Sequence, residues 1–301
     1  MAGSLAPGEG ERFAVNTAED PRDSTFRPVI PENPRILRSD QIEGFNRDGL
    51  VAPVDAFDAE ELARHRAYIA DLVDAVVDAP DRRNQYSIIN YHVACKGLYE
   101  ITQAPRLLDA VSDILGPDIV CWNTHLFFKT GYDPMEVPLH QDFMYWPLVR
   151  TGSITAWLAL DEVDAGNGAV TFVPGSHRQR LLDHVERSLD GSRSLKREIA
   201  SVEGRERYVN ALHAGQASLH SDLVAHGSAP NASGRPRMGL AIRYAAPDVR
   251  PLPGAEWYFK ALVECRSSGT VPMRGRRPPR SEHPELFAQI WGEFDGVAYD
   301  G

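Results

Sequence analysis

The chain has 301 residues, 43% of them hydrophobic and 25% charged, enough for one large domain with a sizeable core. A formal net charge of -10 argues against nucleic acid as the main partner, because phosphate binding needs clustered positive charge. No apolar run approaches the length of a membrane span.

Residues 1–38 are rich in Pro, Gly and charge and read as a flexible or draped arm before a single domain over 39–301. The arm lacks the basic start and apolar centre of a signal peptide. Cys95, Cys121 and Cys265 are far apart, with no disulfide framework and no CxxC motif. A reducing cytoplasm is the expected setting. Asp40 is placed to cap a short helix that Gly49 stops. Over residues 57–77, Leu62, Ile69, Leu72 and Val76 fall on one helical stripe. Residues 105–116 form another helix, with Pro at its start and Gly at its end.

The texture then changes. Residues 119–129, 153–163, 169–177, 217–227 and 237–245 read as strands, short and bounded by Gly, Pro, Asn and Asp. Helices first and strands later imply an α+β fold with an antiparallel sandwich or jelly roll at its centre. The charged stretch 178–212 interrupts the strands and is expected to be a lid. The basic run 274–280 lies beside prolines and reads as a solvated loop.

Two His-x-Asp pairs stand out, His140/Asp142 and His220/Asp222. Residues at i and i+2 of a strand share a face and can share a metal ion. A site of two histidines and one carboxylate needs its second histidine from elsewhere in the fold. For His140 and Asp142, His226 lies several strands further on and can arrive from another strand. For His220 and Asp222, His226 is too near on the same strand or turn, and the later His283 opens what reads as a terminal helix. Geometry favours the first pair.

The segments "LHQDFMYW", "DEVDAGNGAVTFVPGSH" and "HGSAPNASGRPRMGLAIRY" resemble, in order and spacing, the signature blocks of the phytanoyl-CoA dioxygenase family of iron(II)/2-oxoglutarate oxygenases. "FNRDGLV" resembles the family's usual opening, so the likeness spans roughly residues 42–246. The resemblance implies a double-stranded β-helix, meaning a jelly-roll core over about 119–246, with the N-terminal helices packed on one sheet. It implies iron held by His140, Asp142 and His226, and Arg237 on the distal carboxylate of 2-oxoglutarate, with dioxygen as the other cosubstrate. The chemistry of the donors agrees. Two neutral imidazoles and a carboxylate leave a ferrous site net positive and open on one side to a 2-oxo acid and dioxygen.

On the alternating strand 119–129, Asn123 and Lys129 share a face and are candidates to bind the cosubstrate. Phe143, Tyr145, Trp146 and Trp157 are candidates for the substrate pocket, and so are Tyr91 and His92 in the polar, aromatic stretch 85–100. Asn167-Gly168 reads as a turn and His177 as a strand-end residue. The expected reaction is hydroxylation of an unactivated C–H bond of a small molecule. Desaturation, epimerisation and cyclisation share its first step. Halogenation is disfavoured because Asp142 is present. A jelly-roll hydrolase or isomerase would leave Arg237 without a role. The Ala/Arg/Asp-rich composition points to tailoring of a secondary metabolite.

Overall fold

Strands 119–129 and 237–245 begin and end where the sequence pattern puts them. They pair antiparallel from Arg237 opposite Lys129 to Ala245 opposite Val120. This computed structural model describes residues 20–77, 88–186, 194–202 and 204–270, with 273, 275 and 279. The first half holds α1 (Ser39–Asp48), β1 (Leu50–Asp55), α2 (Ala59–Val77), α3 (Lys96–Thr102) and α4 (Pro105–Leu115). Next come β2 (Ile119–Lys129), β3 (Val137–His140), the single turn α5 (Asp142–Tyr145), β4 (Ser153–Ala159) and β5 (Val170–Phe172). After these come β6 (His184–Glu186), β7 (Arg197–Ile199), β8 (Tyr208–Val209), β9 (Gln216–Ser221), β10 (His226–Ser228), β11 (Arg237–Ala245) and β12 (Val263–Arg266).

The strands make a six-stranded sheet, β1-β9-β4-β11-β2-β12, and a four-stranded sheet, β3-β10-β5-β8, with β6 and β7 as a separate hairpin. The ladders are antiparallel. Strand alternation sorts the side chains of the large sheet into two layers. Ala156, Leu158, Leu219 and Ile242 face outward and pack with Ile69, Leu72, Leu107 and Val111 of the helices. Trp157, Ala159 and Ala241 face inward, against Val170 and Phe172 of the small sheet. The candidate metal ligands and their partners lie along this second, inter-sheet layer.

Several elements differ from expectation. Arg38, not Asp40, is the residue before α1, and Asp40 sits in its first turn; Gly49 ends the helix in the left-handed conformation. Strand β1 carries Pro53, which lacks an N–H, and the strand is accommodated at the sheet edge with a register break between Val51 and Val54. The stretch 217–227 is two strands in different sheets. Residues 169–177 hold a strand only to Phe172, followed by a 3-10 turn at Ser176–Gln179 that contains His177.

Of the arm, residues 1–19 lie outside the described residues, and 20–38 are draped over the body. Arg22 is ion-paired with Asp20 at 2.7 Å and donates to Phe143 O (2.8 Å) and Trp146 O (2.6 Å). The Asp113 carboxylate accepts from the backbone N–H groups of Arg35, Ile36 and Leu37. His283 and most of the run 274–280 lie outside the described residues. Among the described residues, no helix is long and apolar enough to cross a membrane.

In the stretch 178–212, residues 187–193 and 203 lie outside the described residues. The strand block resumes before position 212, because Tyr208 pairs with Phe172 and Leu212 bridges Val163. The hairpin β6–β7 is tied to the loop after β3. Gln141 Nε2 donates to Arg180 O (2.9 Å), Gln141 Oε1 accepts from Leu182 N (2.7 Å), and Tyr145 Oη donates to Arg197 O (2.7 Å). A two-stranded hairpin outside the two main sheets opens more readily than a strand inside a ladder, as a lid would. Amide exchange over 178–186 and 194–202 is expected to be faster than in β2 and β11, and to slow when substrate binds. Exchange equal to that of the strands in both states would remove the lid.

Candidate metal centre and cosubstrate corner

His140 ends β3 and His226 opens β10, and the antiparallel register sets them opposite each other. Their ring centroids are 4.3 Å apart. Gln141 is extended, so Asp142 returns to the side of His140, with His140 Nε2 3.5 Å from Asp142 Oδ1. One ligand atom from each of the three buried residues lies within 4.8 Å of the others.

Both histidines are fixed in the same way. His140 Nδ1 bonds Pro138 O at 2.8 Å and His226 Nδ1 bonds Val224 O at 3.0 Å, each to the carbonyl two residues back. A carbonyl only accepts, so Nδ1 carries the proton and Nε2 keeps its lone pair for a metal. Burial, and then the neighbouring His140, push the His226 imidazole down to about 4, which leaves it neutral at pH 7. Burial alone would raise the Asp142 carboxyl. Arg243, with the neighbouring His140, outweighs it and holds the group below the usual carboxylate range. Thr155 Oγ1 donates to Asp142 Oδ2 at 3.2 Å. Two imidazole nitrogen donors and one ionised carboxylate fit ferrous iron.

The rival pair is splayed apart. His220 is on β9 in the large sheet, and His226 is on β10 in the small one, so the expectation that they share a strand or turn fails. Their rings are 4.9 Å apart across the inter-sheet layer. What removes this pair is Asp222. Its carboxylate turns back to accept from Thr151 Oγ1, Gly152 N (3.1 Å) and Ser153 N (3.2 Å). Burial pushes that carboxyl up to about 6.

A second feature lies at the end of β2 and β11, where Lys129 and Arg237 are cross-strand partners. Both are buried, at 3% and 1% exposure. Arg237 Nη2 donates to Gly168 O (2.7 Å) and Ser228 Oγ (3.0 Å), and its guanidinium lies 5.3 Å from the Trp157 ring. Lys129 Nζ donates to Ala229 O and to Ser228 O (3.4 Å). Burial, and then Arg237, push the Lys129 ammonium down to about 7. Two buried cations side by side repel each other, and a carboxylate between them would relieve both. Gly239 admits the Trp157 ring, because a Cβ there would overlap the indole.

Asn123 is not in this corner. It lies six positions along β2, about 20 Å from Lys129, and its Oδ1 accepts from Arg243 Nη1 at 2.5 Å. Tyr145 has its ring 5.8 Å from His140, and Trp146 carries the Arg243 guanidinium at 5.2 Å. Phe143 packs in the cluster of Trp122 and Leu148, capped by Arg22 at 4.4 Å, as a core residue. Tyr91 and His92 are also misplaced by the sequence reading. The chain at 88–90 runs along the edge of β2 and turns both rings away from the inter-sheet layer. Tyr91 joins the helix-side core, while His92 bonds Thr124 Oγ1 (2.9 Å) and Ala261 O (2.8 Å). Arg243, Thr155 and Ser228 were not singled out in the sequence. For Arg243 a signal existed, since it shares strand parity with Arg237.

The chain matches the model of the family described as phytanoyl-CoA dioxygenase (PhyH) over residues 45–239. It is 28% identical over 209 residues to a Stutzerimonas stutzeri protein named "Probable alpha-ketoglutarate-dependent hypophosphite dioxygenase", covering 65% of this chain and 70% of that one. It is 26% identical to the ectoine dioxygenase of Sphingopyxis alaskensis, covering 71% and 78%. Its structure is similar to that of the non-heme monooxygenase ThoJ, with a TM-score of 0.68 and 27% identity over 84% of this chain and 94% of that one. The family match, with these relatives, makes the protein a dioxygenase using iron(II), 2-oxoglutarate and dioxygen, and the buried His/Asp/His cluster fits that class. The chain belongs to the phytanoyl-CoA dioxygenase family.

Proposed function

We propose that the protein hydroxylates an unactivated C–H bond of a small molecule, with release of succinate and carbon dioxide, inside a double-stranded β-helix core. The observation that carries this reading is the cross-strand pairing of His140 with His226, with matched Nδ1 bonds that turn both Nε2 atoms toward Asp142. These three side chains hold iron(II). With 2-oxoglutarate and dioxygen, the metal supplies the oxidising power: one oxygen atom goes to succinate and the other to the substrate. Arg237 and Lys129 take the distal carboxylate of 2-oxoglutarate, and Ser228 and Trp157 hold Arg237 in place. The inter-sheet layer and the hairpin over the loop at Gln141 keep water from the site.

Ectoine and hypophosphite, named for the relatives, are small and polar, which supports a small-molecule substrate here. Tailoring of a secondary metabolite is the biological setting we favour. Desaturation, epimerisation and cyclisation remain within the same residue set. A metal hydrolase is disfavoured by the paired cations at Lys129 and Arg237, which have no task in hydrolysis. The test is anaerobic addition of iron(II) and 2-oxoglutarate to the purified protein. A weak visible charge-transfer band is expected, lost on adding a chelator. Iron uptake with no band on adding 2-oxoglutarate would sink the reading.

A further inference from the structure

We propose that Arg243 anchors an oxyanion of the substrate, a carboxylate or a phosphorus oxyanion, beside the metal centre. The inference rests on the reading above and names its substrate class. Ladder registers set Asn123 opposite Arg243, Arg243 opposite Thr155, and Thr155 opposite His220. These four inward side chains form a polar row across β2, β11, β4 and β9. The row faces the metal ligands. Thr155 bonds Asp142, Arg243 Nη2 is 4.0 Å from Asp142 Oδ1, and the His220 ring is 4.9 Å from that of His226.

Arg243 is locked but not used up. Asn123 takes Nη1, and Trp146 supports the guanidinium plane at 5.2 Å. Its Nε has no hydrogen-bond partner among the described residues, and neither ring nitrogen of His220 has one. Three buried polar atoms in one row ask for a polar occupant, since an apolar one would leave them unsatisfied. Charge says which kind. Asp142 is the carboxylate beside Arg243, and in the functional reading it also serves a divalent cation. That leaves the row net positive even after the 2-oxo acid brings its metal-side carboxylate. The distal carboxylate cannot supply the missing charge, because Arg237 lies six positions along β11 from Arg243, about 20 Å. A guanidinium fork fixed on an aromatic ring suits a planar or tetrahedral oxyanion.

The experiment uses enzyme loaded with nickel(II) in place of iron and saturated with 2-oxoglutarate. The probes are acetate, methylphosphonate and acetamide, each read by paramagnetic broadening of its methyl proton signal. The wild type is expected to bind one of the anions at least about tenfold more tightly than acetamide, a difference of about 1.4 kcal/mol. The better anion identifies the oxyanion. Arg243→Met should abolish the preference and Arg243→Lys should retain part of it. A preference that is absent from the wild type, or that survives in Arg243→Met, overturns the proposal. So does a Met variant whose main defect is weaker 2-oxoglutarate binding, which would put Arg243 on the cosubstrate. So does one that loses nickel while its metal-bound fraction still prefers the anion, which would make Arg243 a support for Asp142. Failure of the wild type to take up 2-oxoglutarate would instead overturn the cosubstrate assignment; the anion preference and its loss in Arg243→Met are then judged on the same nickel enzyme.

Discussion

Asp142→Ala is expected to lose iron and turnover together. The site offers three ligand atoms within 4.8 Å of one another and no fourth candidate in that cluster among the described residues. Asp142 is also its only anionic ligand, held ionised by Arg243 and the neighbouring His140. Without it, two neutral imidazoles face the cation with Arg243 nearby and no compensating charge. Partners outside the coordination sphere are already worth about 10- to 100-fold in metal affinity, so loss of a ligand should cost more than about a hundredfold. His140→Ala and His226→Ala should behave alike. His220→Ala should bind iron nearly as the wild type does, because its ring belongs to the opposite sheet. Competition against a chromogenic chelator measures all four. Iron retained by Asp142→Ala and lost by His220→Ala would mean that the other pair holds the metal.

The His140/Asp142 pair was legible because its signal is local. An i, i+2 pair needs only an extended residue between its members, and Gln141 is extended. Strands β2 and β11 were legible to the residue, because each is a short, largely apolar run with β-branched and aromatic residues, bounded by turn residues. Other features depend on contacts remote in sequence. The break between β9 and β10 has neither Gly nor Pro to mark it. The chain turns there because the Asp222 carboxylate collects an O–H and two N–H groups from residues 151–153. The same long-range bonds decide between the two His-x-Asp pairs, so the sequence argument reached its choice from a premise that the structure corrects. Tyr91 and His92 looked like pocket residues by composition. Only the run of 88–90 along the edge of β2 shows that their rings turn away from the inter-sheet layer. Asn123 shares a strand face with Lys129, but parity does not tell which end of a long strand a ligand occupies.

Arg237→Ala is expected to raise the apparent constant for 2-oxoglutarate by about ten- to over a hundredfold. The estimate comes from a charge-assisted bond worth roughly 1.5–3 kcal/mol, at about 1.4 kcal/mol per decade. Arg237 starts β11, is buried, and is oriented by Gly168 O, Ser228 Oγ and the Trp157 ring. Iron affinity should change little, since Arg237 is not among the ligand atoms. Arg235 is the control: it is exposed and pairs with Asp164 at 2.6 Å on the surface. Lys129 gives the prediction a sign in pH. Burial and Arg237 push its ammonium down to about 7, and a bound carboxylate favours the charged form. Anion binding therefore takes up a proton, and affinity for 2-oxoglutarate should tighten as pH falls from about 8 to 6. In Arg237→Ala the repulsive neighbour is gone, so Lys129 stays charged to higher pH and the tightening should move upward with it. Lys129→Met should lose it. Succinate formation against 2-oxoglutarate concentration, repeated across that pH range, measures both effects. An unchanged cosubstrate constant in Arg237→Ala would leave the two buried cations without a ligand, and would take the strongest support from 2-oxoglutarate binding at this corner.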